Sequence, residues 1–104
     1  MGTNKFRITT QTLYVLSALL SAKQEISGAD VARLTKLSSG TLYPILMRLE
    51  HHTWIESEWE AGDPHKLGRP RRRLYKITAL GVRSARKEFK NIEAAIGGLA
   101  WVTS

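Results

Sequence analysis

The side chains in this sequence that are most suited to a chemical role are basic. Nine lysine and arginine residues lie between positions 64 and 87 with no acid among them, directly after four acids between positions 56 and 63. The whole chain has 16 Lys and Arg against 9 Asp and Glu, a formal net charge of +7. Such a cluster attracts a polyanion, although a run of like charge is also typical of a solvated loop. The elements that carry the cluster must decide between these two interpretations.

Much of the basic cluster lies in a predicted loop. Residues 61–72 include two glycines and two prolines, and they separate two segments of alternating residue type, 54–60 and 73–77. This pattern predicts two antiparallel strands joined by a long basic loop, a unit that we call the wing. Its flexible arginines could reach DNA phosphates or the minor groove. The candidate DNA-binding residues of the wing are Lys66, Arg69, Arg71, Arg72 and Arg73.

Three helices are predicted before the wing. Residues 10–22 repeat apolar side chains at three- and four-residue steps, the spacing of an amphipathic helix. Ser27, with Asp30 three residues later, forms a capping-box pattern that begins a second helix over residues 28 to about 36. The segment 37–40, Leu-Ser-Ser-Gly, interrupts that helix and begins a third after a tight turn.

The third helix has two different faces. Leucine and isoleucine at positions 42, 45, 46 and 49 form a narrow apolar stripe that can anchor it to a core. The opposite face and its flanks carry few charges, which suits a helix that enters the DNA major groove and approaches base edges. We call it the recognition helix. The residues proposed to contact DNA from it and from the turn before it are Ser38, Ser39, Thr41, Tyr43 and Arg48.

A final helix is predicted after Thr78, which is placed to cap it. Its apolar residues follow alternating steps of three and four, the spacing of a coiled-coil seam. This seam is proposed to hold a homodimer, although packing on its own domain is the simpler use of such a stripe. Trp101 follows a weak Gly-Gly segment and is a candidate for an effector pocket or for interface packing. The proposed dimerisation residues are Val82, Ala85, Phe89, Ile92, Ile96 and Leu99.

The order of these elements predicts one fold. The chain is expected to be mainly α with a small β-hairpin, in the form of a winged helix-turn-helix followed by a long C-terminal dimerisation helix. The winged helix-turn-helix covers residues 1–78 and the helix residues 79–104, and together they form one compact unit. A helix-turn-helix beside an acid-free basic loop favours DNA binding.

Three blocks in this order also resemble a known family. GTLYPILMRLE at 40–50, WIESEW at 54–59 and RRLYKITALG at 72–81 are similar to the PadR family of winged-helix transcription regulators. The resemblance extends over about 13–93. It implies a dimeric repressor that binds double-stranded DNA at a pseudo-palindromic operator and often releases it on meeting a small aromatic effector.

The resemblance also assigns individual positions. Tyr43 matches the tyrosine of the family's recognition helix, and Arg71, Arg72 and Arg73 fall where its wing bases lie. The chain departs from the family at Thr53, where a glycine usually ends the third helix. Threonine there must either adopt the left-handed conformation at a cost or leave the helix by another path.

Other chemistries find little support. The chain has no cysteine, and the adjacent His51 and His52 point about 100° apart on a helix, so they cannot share a metal. His65 lies in the wing without ligand spacing to either. No catalytic pattern or phosphate loop occurs, so we expect no enzyme, no metal and no cofactor. The longest nearly apolar stretch, 13–22, is too short to span a membrane. This short stretch and the lack of cysteine together favour a cytoplasmic protein.

Two alternative functions remain open at this stage. The wing could be a solvated surface of a protein-interaction module that does not bind DNA sequence-specifically, and the acids at 56, 58 and 60 favour that interpretation. The terminal helix could instead lie on a membrane through its basic stripe at 83, 86, 87 and 90. Its alanines and its Gly-Gly segment make it poorly suited to insertion.

Overall fold

The computed structural model describes the backbone of residues 8–103 and the side chains of residues 8–97. Helix α1 (Thr10–Ser21) begins at Thr9, whose Oγ1 accepts a hydrogen bond from the Thr12 amide at 3.2 Å. Its buried stripe is centred on Val15, Leu16 and Leu19. The three- and four-residue spacing therefore predicted the helix correctly.

Helix α2 (Gly28–Thr35) follows the predicted capping box. The Asp30 amide donates to Ser27 Oγ at 3.1 Å, and the Ser27 amide donates to Asp30 Oδ2 at 3.2 Å. Two of the free amides at the helix start are thereby satisfied. Lys36 ends the helix in the left-handed conformation, with φ 64°.

Helix α3 (Ser39–His51) is the predicted recognition helix. It continues through Pro44, and each of its predicted apolar side chains is at most 4% exposed. Thr53 takes the left-handed conformation, with φ 61°. Its amide donates to the Glu50 carbonyl and the next amide, of Trp54, donates to the Leu49 carbonyl, both at 3.0 Å. This is a Schellman end with threonine in the position that usually holds glycine.

The wing forms as predicted, with two additions. Strands β2 (Ile55–Trp59) and β3 (Arg73–Ile77) pair antiparallel, and a one-turn helix α4 (Pro64–Leu67) lies in the loop between them. A short strand β1 (Ile26–Ser27) pairs with the other edge of β3, so the sheet has the order β1-β3-β2. Two residues are too few to show an alternating pattern, which is why the sequence predicted only a hairpin.

Helix α5 (Ala79–Thr103) begins at Thr78, whose Oγ1 accepts from the Gly81 amide at 3.0 Å as predicted. The first half of the helix lies against the domain. Residues 91–97 are all exposed. The core beneath consists of buried apolar side chains from α1, α2, α3, the sheet and the start of α5: Val15, Leu16, Ala18, Leu19, Val31, Leu42, Ile45, Leu46, Leu49, Ile55, Tyr75 and Ala85.

Candidate nucleic-acid interface

The outer face of α3 carries exposed polar side chains because its apolar stripe is used entirely by the core. The five residues proposed to contact DNA here are all exposed: Ser38, Ser39, Thr41, Tyr43 and Arg48. Ser38 Oγ donates to Thr41 Oγ1 at 3.3 Å and does not cap the helix. Both hydroxyls are exposed, and each still has hydrogen-bonding capacity that an external partner can use.

The proposed basic residues of the wing divide into two groups. Lys66, Arg71 and Arg72 are exposed, whereas Arg69 and Arg73 are half-buried. Within the side chains of residues 8–97, these exposed three form no ion pair, so a polyanion can reach them without first breaking one. We call them the free cations of the wing.

Arg69 is held by an acid of the same wing. Its Nη1 and Nη2 donate to Glu60 Oε1 and Oε2 at 2.6 and 3.0 Å, a bidentate pair. The backbone amide of Arg72 donates to the same carboxylate at 3.3 Å. Hydrogen bonds from the Arg69 guanidinium lower the pKa of Glu60 to about 2, with the Arg72 amide contributing. Glu60 therefore ties the loop to the end of β2.

Arg73 is also engaged inside the protein. Its Nε donates to Ser57 Oγ at 2.9 Å, and Ser57 Oγ donates to Glu50 Oε2 at 2.7 Å. Its guanidinium also lies 5.1 Å from the ring centroid of Trp59, a cation–π contact. These contacts join the end of α3 to both strands of the wing.

Arg69 and Arg73 were both predicted from the sequence to contact DNA, and their partners within the protein were not predicted. Both side chains have internal partners that shape the wing, and a contact of either one with DNA stays a prediction. The sequence did indicate that Glu60 could take part in the wing, because Glu60 alternates with Glu56 and Glu58 just before the basic loop. Glu56 in turn lies 3.7 Å from Lys76 across the strands. Glu56 and Glu60 are thus explained by pairing within the wing.

The proposed dimerisation residues also divide. Ala85 is fully buried and Phe89 packs against the core of its own chain, while Val82 is half-buried. Ala85 therefore belongs to the core of its own chain. Ile92 and Ile96 are 37% and 63% exposed. The side chains of Leu99 and Trp101 lie outside the described residues.

Two further observations concern metal ions and membranes, which the sequence disfavoured as partners. Among the side chains of residues 8–97, no group of three His, Cys, Asp or Glu is arranged to hold a metal ion. The rings of His51 and His52 meet edge to face at 5.4 Å. Within the same described part, no helix combines the length and the apolar character needed to cross a membrane.

The fold and this surface together define a winged helix-turn-helix protein. The model of the transcriptional regulator PadR-like family matches residues 19–87, which is more than half of the chain. The protein therefore belongs to the PadR-like family of transcriptional regulators. None of the curated proteins compared with the chain matches it.

Solved structures agree on the fold. A PadR family transcription regulator from Clostridium difficile R20291 has a TM-score of 0.75 at 20% identity, over 92% of this chain and 100% of that one. A PadR family regulator from Eggerthella lenta DSM 2243 has a TM-score of 0.70 at 22% identity, over 86% and 80%. Bacillus subtilis PadR in complex with operator DNA has a TM-score of 0.64 at 18% identity, over 78% and 48%.

Proposed function

We propose that this protein is a dimeric repressor that binds a pseudo-palindromic operator in double-stranded DNA. The observation that carries the proposal is the joining of two exposed surfaces. The polar face of α3 and the free cations of the wing lie on elements that Glu50, Ser57 and Arg73 connect by hydrogen bonds. Base edges are read from the first surface and phosphates are held by the second.

Three further points support this proposal. The chain belongs to a family of transcriptional regulators. Its fold is similar to that of B. subtilis PadR, which was solved with operator DNA. The acids that favoured a protein-interaction module are engaged at Glu56 and Glu60 with basic residues of the same wing, which weakens the alternative.

The test is a selection of bound duplexes from a random-sequence pool, followed by gel shifts on the enriched duplex and on a scrambled duplex of equal length. We expect an enriched palindrome whose half-sites lie about 34 Å apart, one turn of DNA. We also expect binding that is at least about 1,000-fold tighter than to the scrambled duplex. A pool that remains random after repeated rounds would favour the protein-interaction module instead.

Release by a small aromatic effector is part of the same proposal, and the family resemblance supports it. A cleft of about 380 Å³ between α1 and α2, walled by Tyr14 and Leu34, is large enough for such a compound. A panel of small aromatic acids and amines added to the protein–DNA complex tests release. If the effector binds beside Trp101, Trp101→Ala abolishes release and Leu34→Ala does not, and the reverse result assigns the cleft.

A further inference from the structure

Gly28 is the first residue of α2, and its backbone conformation does not require a glycine. The glycines with positive φ are Gly62 and Gly68, so Gly28 has a conformation that any residue can adopt. A Cβ at position 28 would lie 2.5 Å from Tyr43 Oη, 2.9 Å from Cε1 and 3.0 Å from Cζ. The three nearest atoms all belong to Tyr43. The absence of a side chain at position 28 therefore makes room for one residue of α3.

Tyr43 is packed with its hydroxyl end nearest to Gly28. Its ring lies against the first turn of α2, yet the residue is still 45% exposed. Its hydroxyl makes no hydrogen bond with any residue in the described part of the chain. Burial raises the pKa of Tyr75 on β3, and the nearby Tyr43 phenol adds to that shift. The contact with the start of α2 is therefore what positions Tyr43.

We propose that Gly28 is a positioning residue for DNA recognition, because the space above it fixes where Tyr43 presents its hydroxyl. The inference rests on the proposed function, since Tyr43 is taken to contact DNA. A side chain held in its binding orientation loses less conformational entropy when it meets its target. Gly28 never touches DNA in this scheme, and it acts only through Tyr43.

The consequence of adding a methyl group follows from what it would meet. The atoms it would meet are at the end of the Tyr43 side chain, which can rotate outward into solvent. Gly28→Ala should therefore displace the ring at little cost to the fold. Alanine is also the better helix former. The situation differs at Gly81, where an added Cβ would meet the backbone carbonyl of Trp54. Gly28→Ala should thus change DNA recognition while it leaves the stability of the fold nearly unchanged.

The experiment compares Gly28→Ala with the parent on the enriched duplex and on the scrambled duplex. We expect the melting temperature and the affinity for scrambled DNA to change little. The preference for the enriched duplex should fall at least about fivefold, the lower end of the cost of removing one base-specific hydrogen-bonded pair. Gly97→Ala is the matched control, because a Cβ there would meet nothing within 4 Å. An unchanged preference in Gly28→Ala overturns the proposal.

The double variant Gly28→Ala/Tyr43→Ala shows whether the effect passes through Tyr43. We expect Gly28→Ala to cause no further loss of preference when Tyr43 is already alanine. An equal loss in both backgrounds overturns the proposal, since Gly28 would then act directly. Should Gly28→Ala fold poorly, Tyr43→Ala must restore its melting temperature, and a failure to do so shows that the clash lies elsewhere.

A measurement without DNA separates this proposal from the proposed function. We expect a nuclear Overhauser effect between the Gly28 Hα protons and the Tyr43 ring in the free protein. If that effect is present and Tyr43→Ala leaves the preference unchanged, the proposed role of Tyr43 in DNA binding fails, and with it the role of Gly28. If the effect is absent, the positioning proposal alone fails.

Discussion

Glu60 is the residue on which the shape of the wing most directly depends. Its carboxylate holds the Arg69 guanidinium with two hydrogen bonds and receives the Arg72 amide. It therefore fixes the base of the loop, where the backbone of Arg72 meets that of Glu60, while the side chains of the free cations stay exposed. An acid within a loop that is proposed to bind DNA is explained in this way without any contact between that acid and phosphate.

The Glu60 pair predicts a pH dependence. Its pKa is about 2 in the folded protein against an ordinary 4.5, chiefly because of Arg69. A lowered pKa stabilises the fold at pH above 4.5, and this stabilisation is lost as the pH falls from 4.5 towards 2. A titration of the Glu60 carboxyl carbon by NMR should have its midpoint near 2. Arg69→Ala should move that midpoint towards 4.5, whereas the control Arg71→Ala should not. A midpoint near 4.5 in the parent contradicts the pair.

Thr53 predicts a stabilising substitution. Its left-handed backbone costs a β-branched residue free energy that glycine does not lose. Thr53→Gly should therefore raise the free energy of unfolding by about 1 kcal/mol, measured by urea denaturation. Thr53→Ala is the control, because it keeps the positive φ and a Cβ while it removes the γ-methyl group and the hydrogen bond from Oγ1 to the His52 carbonyl. Equal stability of the glycine and alanine variants would argue against strain at this position.

At the scale of elements, the wing combines an internal ion pair, Arg69 with Glu60, with exposed cations on both sides of Arg69 in sequence, at Lys66 in α4 and at Arg71 and Arg72 next to β3. This arrangement predicts that its basic residues do not contribute equally. Replacing Arg71 and Arg72 with alanine should lower the slope of log K against log salt by about 0.9 for each phosphate that is no longer neutralised in each subunit. Replacing Arg73 should weaken binding with a smaller change in slope, because its side chain is engaged mainly with internal partners. Equal slopes for both variants would show that the two groups do not differ.

The elements were predictable to different degrees. Helices α1, α3 and α5 and the two long strands were predicted because each repeats its pattern over several turns or several alternations, and α2 was predicted from its capping box. Strand β1 has two residues and no alternation, so only its partner β3 defines it. The loop was expected to lack structure, yet Asp63 caps a turn of helix there by accepting from the His65 amide at 3.0 Å.

The site was less predictable than the fold for a physical reason. Exposure of the α3 residues follows from helical periodicity, which local sequence contains. The roles of Arg69 and Arg73 depend on Glu60 and Ser57, which lie 9 and 16 positions away. Such pairs are set by strand register, and register was not predicted. The space that Gly28 leaves for Tyr43 is likewise visible only when α2 and α3 are packed together.

At the scale of the whole molecule, the exposed half of α5 predicts a two-fold dimer. Ile92→Glu/Ile96→Glu should give a folded monomer, since both residues are exposed in the single chain. Burial of each isoleucine in the interface is worth about 1.5 to 3 kcal/mol, and each substitution is felt twice in a symmetric dimer. Sedimentation at micromolar concentration measures the change, and tight binding to the palindrome should disappear with the dimer.

The control for the dimer prediction is Ala94→Glu, an exposed residue on the opposite side of α5. It adds the same type of charge without touching the apolar stripe, so it should remain dimeric. A parent that sediments as a monomer, or a double variant that still forms a dimer, would remove the stripe from the interface. The protein-interaction alternative would then become the stronger proposal.

Helix α5 packs closely against the domain at Gly81, near its start, so a small change in its angle there moves its far end by a large distance. The helix has 25 residues, so it is about 37 Å long at 1.5 Å per residue. A tilt of about 5° at its first turn moves its far end by about 3 Å, close to the 3.4 Å step between base pairs. In the proposed dimer, the angle between α5 and its domain sets the distance between the two recognition helices. The pivot is the contact of Gly81 with the Trp54 carbonyl, which has no space for even one methyl group.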